Sequence, residues 1–402
     1  MGKGRCRAYL TMLFAICFLF VMSFIPIIFE GNLVEAKAKK ADGDLLIHFI
    51  DVGQGDSTFI ELPNGGTLLI DAGTQDYGEK VCNYIDELGY ERIDCVIATH
   101  SDSDHVGGLT AVLQSFEVKH IFRPFVIASE SVPADDLSTI GLTSSQILMD
   151  NNLAYTNFIN AVYKETYNGE PAKVSTLSNN SFADVFLATS EPYFMVEVMY
   201  PFAESGYDSF ITPSGRTTGY KIKMPEDTND LSAIVYIATE KNKVLLMSDV
   251  SEKIESELLN MSSSDTVLRD KLASVDVFKV AHHGSKNANS VEFLNLVAPK
   301  VSIISVGAGN DYDHPNEETI ERLSDITSKV YRTDVNGTIV STISIEGKVS
   351  IDIEKGVDKI KTIPEPIMYI FFGCLMAVIV AIVIIYNTKN NKKRKTINKE
   401  IG

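Results

Sequence analysis

The sequence predicts an α/β protein in which two sheets pack face to face and helices cover their outer faces. Three observations predict it. Short apolar runs broken by Gly, Pro and Asn open the folded region, strand and helix periods then alternate, and the same style returns in the second half of the 402 residues.

In order, "LLIHFID", "STFIEL" and "TLLID" read as strands separated by turns, and "YGEKVCNYIDELG" as an amphipathic helix closed by Gly89. "DCVIATH" is a buried strand, "VGGLTAVLQSF" a helix and "KHIFRPF" another strand. From about Val126 to Asp230 the pattern weakens, and this interval reads as an insert over one edge of the core, with "DNNLAYTNFINAVYKETYNGE" as one helix. The second half restarts with "LSAIVYIAT" and "KVLLMSD", a hairpin around "EKNK", and a helix from about Glu252 to Asn260. Then come strand "VDVFKVAHH", helix "SVEFLNLVA", strand "KVSIISVG" and helix "NEETIERLSDI", before the late strands "KVYRTD", "GTIVSTISI" and "KVSIDIE".

Both ends stand apart from this region. Ala8 to Phe29 carries no charge and follows Lys3, Arg5 and Arg7, the pattern of an export signal. Either "AKA" at Ala36–Ala38 is its cleavage site or residues 1–40 hold an uncleaved anchor. Pro366 to Tyr386 is uncharged and long enough to span a bilayer, and the basic tail 387–402 is expected to stay in the cytoplasm. The expectation is therefore a cell-membrane protein with its folded region, 41–360, on the extracellular side.

Residues 1–40 and 389–402 hold twelve of the 36 basic residues and three of the 53 acidic ones, so the remainder has a net charge of about −26. Such a surface disfavours broad, tight binding of polyanions unless a local patch or a bound cation reverses the field. Cys82 and Cys95, the cysteines of the folded region, read as small buried residues and not as a disulfide.

The chemistry is concentrated in three clusters, each at the end of an apolar strand or in the loop beyond it, where such architectures place their sites. "THSDSDHVGGL" brings together His100, Asp102, Asp104 and His105. His100 and Asp102, two apart on an extended segment, point the same way. Asp104 and His105 turn into a helix that Gly107 and Gly108 allow to approach closely. Helix capping by an aspartate accounts for one acid, but not for two histidines as well. "KVAHHGSK" holds His282 and His283, and "NDYDHPN" holds His314. Asp249 ends an apolar strand and suits a bridge between two cations, and Asp71 ends another, either as a ligand or as a support for a ligand histidine. Asn229 and Asp230 precede a third strand. His48 and His120, within strands, read as ordinary partly buried histidines.

These motifs carry a resemblance. "THSDSDHVGGL" resembles the His-x-[His/Asp]-x-Asp-His signature of the metallo-β-lactamase fold. "IHFIDVGQGDSTFIELPNGGTLLIDAG", "VFKVAHHGSKNANS" and "HP" followed by "VYRTDVNGTI" are similar to the hydrolase domain of the ComEC/Rec2 competence proteins, from about Leu45 to Ile353. The resemblance implies a four-layer αββα sandwich with two divalent metal ions in the groove between the sheet edges. It implies His100, Asp102, Asp104, His105, Asp249 and one of His282 or His283 as ligands, Asp71 as the supporting acid, and Asn229 or Asp230 where many members have another histidine. Asp102 replaces the commoner His, and more oxygen among the ligands lets Mn²⁺ compete with Zn²⁺. Similarity extends to the hydrolase part and not to the channel of those proteins, so DNA uptake is not implied.

The expected reaction is hydrolysis by a hydroxide shared between the two cations, with Asp104 holding it in line. His314, or whichever of His282 and His283 is not a ligand, is the candidate acid. Ser285, Lys286 and Arg332 are candidate phosphate contacts. The resemblance to the competence-protein hydrolase domain implies a phosphodiester substrate such as extracellular DNA, and an enzyme like the phosphorylcholine esterases of cell-wall teichoic acids, which share the fold, is the alternative. Retention of the fold as a non-catalytic surface binding module is the alternative from another class.

Overall fold

A computed structural model describes residues 43–124, 127–128, 149–150, 152–177, 193–201 and 228–355. The chain opens with β1 (Leu45–Phe49), β2 (Thr58–Glu61), β3 (Thr67–Ile70), β4 (Arg92–Ile97) and β5 (Glu117–Arg123). Two small ribbons follow, β6 (Ile127–Ala128) with β7 (Met149–Asp150) and β8 (Thr166–Tyr167) with β9 (Glu170–Pro171). The remaining strands are β10 (Lys173–Thr176), β11 (Phe194–Tyr200), β12 (Ile234–Thr239), β13 (Lys243–Leu246), β14 (Val277–Lys279), β15 (Val301–Ile304), β16 (Lys329–Arg332), β17 (Ile339–Ile343) and β18 (Val349–Ile353).

One sheet has the order β10-β5-β4-β3-β2-β1-β17-β18 and the other β11-β12-β13-β14-β15-β16. Their facing sides share a core in which Ile47, Phe49, Leu68 and Ile97 meet Val235, Ile237, Val277 and Ile303. The strands are buried on both sides, which is why they read as continuous apolar runs. Leu69, Val96 and Ile121 point outward beneath the helices Gly78–Glu87, Leu109–Ser115 and Leu153–Val162. Tyr236, Phe278 and Ile304 do the same beneath Glu252–Ser262, Thr266–Leu272, Val291–Val297 and Glu317–Asp325. Helices, two sheets and helices make four layers, with an apolar core between each adjacent pair.

The interval 126–230 does more than cover an edge. Its β10 pairs in parallel with β5, and its β11 pairs antiparallel with β12, so it supplies an edge strand to each sheet. Tyr155 and Phe158 of the helix Leu153–Val162 lie fully buried in the outer core of the first sheet. The single helix expected there stops at Val162, and the chain continues into the β8–β9 ribbon, which turns at Asn168 and Gly169 with φ values of +53 and +81. The helix Thr266–Leu272 escaped the periodic pattern, although Asp265 caps it by accepting from Val267 N and Leu268 N. Cys82 and Cys95 are both buried free thiols, as expected.

The membrane placement is corrected. No helix among the described residues is long and apolar enough to cross a membrane. The two apolar stretches from which that placement was read, 8–29 and 366–386, lie outside the described residues, as does the tail 387–402.

Candidate metal centre

The site forms where the parallel strands of both sheets end. Asp71 follows β3, His100 follows β4, Asp249 follows β13 and the His282–His283 pair follows β14. The loops bend sharply to aim these side chains. Asp71, Ser248, His282 and His283 have φ values of 57, 48, 48 and 52, a left-handed backbone that costs a non-glycine residue about 1–3 kcal/mol. Four such residues cluster here because the surrounding contacts hold them. Glycines allow the segments to meet: a Cβ on Gly108 would lie 2.1 Å from Ala72 O, and one on Gly55 would lie 2.2 Å from Asp104 O.

Each of the three buried histidines is held from behind. Asp71 accepts from Thr99 N at 2.9 Å and from the Thr99 hydroxyl at 2.6 Å, and takes the Nδ1–H of His105 at 2.8 Å. The Nδ1–H of His283 goes to the carbonyl of Ser305 at 2.9 Å. His100 Nδ1 lies 3.1 Å from the Thr99 hydroxyl. These contacts leave each Nε2 lone pair pointing inward, the arrangement expected of metal-ligating imidazoles.

The inward atoms converge. His105 Nε2 is 3.3 Å from Asp249 Oδ1, and His283 Nε2 is 3.3 Å from Asp249 Oδ2 and 3.4 Å from Asp104 Oδ2. Ligands held about 2.0–2.1 Å from a tetrahedral ion stand roughly 3.3–3.4 Å apart, so these spacings are those of a coordination shell. The Nε2 atoms of His100, His105 and His283 and Asp249 Oδ1 are buried without a hydrogen bond. Buried polar atoms are nearly always satisfied, and four converging exceptions fit a cation. Asp249 offers one oxygen to each histidine, the disposition of a bridging carboxylate.

The charges agree. Burial lowers the affinity of His105 and His283 for protons, but the carboxylates around them outweigh it: Asp249 and Asp71 for His105, Asp249 and Asp56 for His283. Both pKa values stand well above the ordinary imidazole value. His100 is pushed down to about 3 by burial and by His105 beside it. A cluster that draws protons onto its histidines draws divalent cations for the same electrostatic reason.

The sets of donors lying within 4.8 Å of one another are His100, His105 and Asp249; Asp104, His105 and His283; Asp56, Asp249 and His283; and Asp56, Asp71 and His105. This distinguishes the two tandem histidines. His283 is 2% exposed and within the cluster, whereas His282, with its side chain 27% exposed, stands at the rim 3.8 Å from Asp249. Asp102 is also at the rim, 3.9 Å from His100 Nε2 with its side chain 43% exposed, and belongs to none of these sets.

Other expected positions are committed elsewhere. Asp230 accepts from Ser251 Oγ at 2.5 Å and pairs with Lys253 at 2.6 Å, so this acid braces a loop instead of facing the cluster. The neighbouring Asn229 gives its carbonyl to Ser232 N. Arg332 is bound through two nitrogens to the Asp334 carboxylate, and Ser285 is buried with its hydroxyl accepting from Asn287 N. Lys286 is exposed, its backbone N–H donating to Asn316. His314 does reach the site, its ring centre 5.5 Å from that of His282. Burial and the adjacent His282 lower its pKa to about 4.

Two site residues lie outside the expected set. Asp56, fully buried between the sheets, pairs with the buried Lys279 at 2.6 Å. The signal for Lys279 was a lone cation within the apolar strand "VDVFKVA", and that for Asp56 was an acid after the glycine turn "GQG".

Comparison with known proteins agrees with the site. Residues 50–125 match the family described as Metallo-beta-lactamase superfamily. The chain is 26% identical over 310 residues to ComE operon protein 3 of Bacillus subtilis (strain 168), covering 73% of this chain and 32% of that protein. It is 24% identical to Recombination protein 2 of Haemophilus influenzae, covering 72% of this chain and 28% of that one. With Competence protein ComA of Neisseria gonorrhoeae the identity is 23%, covering 72% and 31%. The chain thus spans about a third of the length of these curated relatives.

Proposed function

We propose, for a chain that matches the metallo-β-lactamase superfamily and is similar to competence proteins along most of its length, a metal-dependent hydrolase acting on a phosphodiester. The observation that carries this reading is the convergence of three buried imidazole Nε2 atoms and Asp249 Oδ1, none of them with a hydrogen bond of its own. His100, His105 and one oxygen of Asp249 would hold one divalent ion, and Asp104 and His283 with the other oxygen of Asp249 would serve a second; Asp102 lies near enough to His100 to join the first. Bound there, Zn²⁺ or Mn²⁺ would supply Lewis-acid polarisation of the phosphoryl group and lower the pKa of water.

The remaining chemistry belongs to side chains. Asp71 and Ser305 O fix the tautomers of His105 and His283, so neither ring turns away from the groove. Asp104, with its side chain 26% exposed and 3.4 Å from His283 Nε2, would orient an attacking water. His282, beside Asp249 at the rim, would deliver a proton to the leaving oxygen. His314 next to it would act as a hydrogen-bonding partner.

The relatives named for competence and recombination direct the first substrate test to nucleic acid, and the acidic composition supports a locally bound strand over a broadly gripped duplex. The test is turnover of bis-p-nitrophenyl phosphate by the purified chain with Zn²⁺ or Mn²⁺, followed by single-stranded DNA and a phosphorylcholine ester. Turnover is expected to need the metal and to be abolished in Asp104→Ala with the fold retained. Metal binding without turnover of any of these would support the binding-module alternative.

A further inference from the structure

We infer that Asp56 and Lys279 form a buried positioning pair beneath the cluster, in which Asp56 braces the rear nitrogens of both His105 and His283 and Lys279 holds that carboxylate in place. The inference rests on the reading that the cluster binds a divalent cation. Strand alternation puts Lys279 on the inner face with Val277, between the sheets, where it is 2% exposed. Its ammonium lies 2.6 Å from Asp56 Oδ2 and 3.2 Å from the Val280 carbonyl. Asp56 Oδ1 lies 3.4 Å from His283 Nδ1, and Asp56 Oδ2 lies 3.9 Å from His105 Nδ1. One carboxylate thus lies against the Nδ1 side of both imidazoles; their Nδ1 protons go to Asp71 and Ser305 O, so Asp56 supports the rings through its charge and not through a hydrogen bond.

The Asp56 backbone joins the same parts. Its N–H donates to Asp104 O at 3.1 Å, and its carbonyl accepts from Gly73 N at 2.7 Å. Asp56 therefore ties together the loops after β1 and β3, the Asp104–His105 turn and the strand leading to His283. Stability alone does not explain such a pair, because desolvating two charges commonly offsets their attraction and apolar replacements are often neutral. Placement against two ligand imidazoles does explain it.

The pair would act through other residues, so the test separates affinity from folding. Zn²⁺ affinity by chelator competition, the visible spectrum of the Co²⁺ form and metal-free thermal melting are measured on the full chain. The variants are Asp56→Asn and Asp56→Asn/Lys279→Met. In the single variant Lys279 is left buried and unpaired, so melting falls and Zn²⁺ affinity drops about 10–100-fold, the usual effect of losing a support behind a ligand. In the double variant no unpaired charge remains and melting recovers, yet the affinity stays at least about 10-fold weaker and the Co²⁺ spectrum remains altered. A double variant with wild-type affinity and spectrum would reduce the pair to a structural role and overturn the inference. Failure of the wild-type chain to bind Zn²⁺ or Co²⁺ would overturn the metal reading itself, a result visible before any variant is compared.

Discussion

Asp71→Asn is the most informative single change, because it alters one atom of a residue that need not touch the ion. The carboxylate takes three hydrogen bonds, from Thr99 N, the Thr99 hydroxyl and His105 Nδ1. An asparagine oxygen can keep the bond to Thr99 N, but its NH₂ then faces His105 Nδ1, which must become an acceptor. The imidazole proton moves to Nε2, into the 3.3 Å gap to Asp249 Oδ1, and blocks the ligand lone pair. Restoring the ligand tautomer sets two N–H groups against each other. Loss of such a support weakens metal binding about 10–100-fold, or roughly 1.4–2.7 kcal/mol. The assay is competitive titration of Zn²⁺ and Mn²⁺ against a chromophoric chelator, with circular dichroism to establish that the variant is folded. A folded Asp71→Asn protein with affinity within about twofold of wild type, below the effect of losing such a support, would refute the tautomer argument.

Three further outcomes are expected. His283→Ala should lose metal, whereas His282→Ala should retain it and lose turnover; the reverse result in metal analysis would exchange their roles. Gly108→Ala forces a Cβ to within 2.1 Å of Ala72 O and should cost about 1–3 kcal/mol, read as a clear fall in melting temperature; unchanged melting would contradict the close packing of that turn. For pH, burial first and then Lys173 and Lys119 depress His120 to about 4 from its ordinary 6.5. The unfolded chain then binds the extra proton first, so this contribution is intact above pH 6.5 and is lost as the pH falls through 4. His120→Gln should flatten that part of the denaturation-versus-pH curve, and an unchanged curve would show that His120 does not contribute.

Much of the fold was legible because its signals are local. Strands buried on both faces appear as uninterrupted apolar runs, and amphipathic helices show their period, so both sheets and most helices could be read directly. The interval 126–230 is less legible for the complementary reason. "KVST" and "FMVEVMY" become strands β10 and β11 only because an edge of an existing sheet offers them hydrogen-bond partners, a non-local cause with a weak local trace. Asp230 illustrates the same limit. Its place before a strand resembles that of a ligand, but Lys253, distant in sequence from that strand's start, claims its charge.

By itself the sequence determined which residue types collect at strand ends: the histidines and aspartates of 100–105, Asp249, and the 282–283 pair. That much follows from spacing and from the cost of burying such groups without a purpose. Only the tertiary structure decided that His283 and not His282 enters the cluster, that Asp249 spans two imidazoles, and that Asp56 and Lys279 lie beneath them. Those facts depend on distances between strands of opposite sheets, which are set by the packing of two apolar faces and leave no mark in the order of the residues.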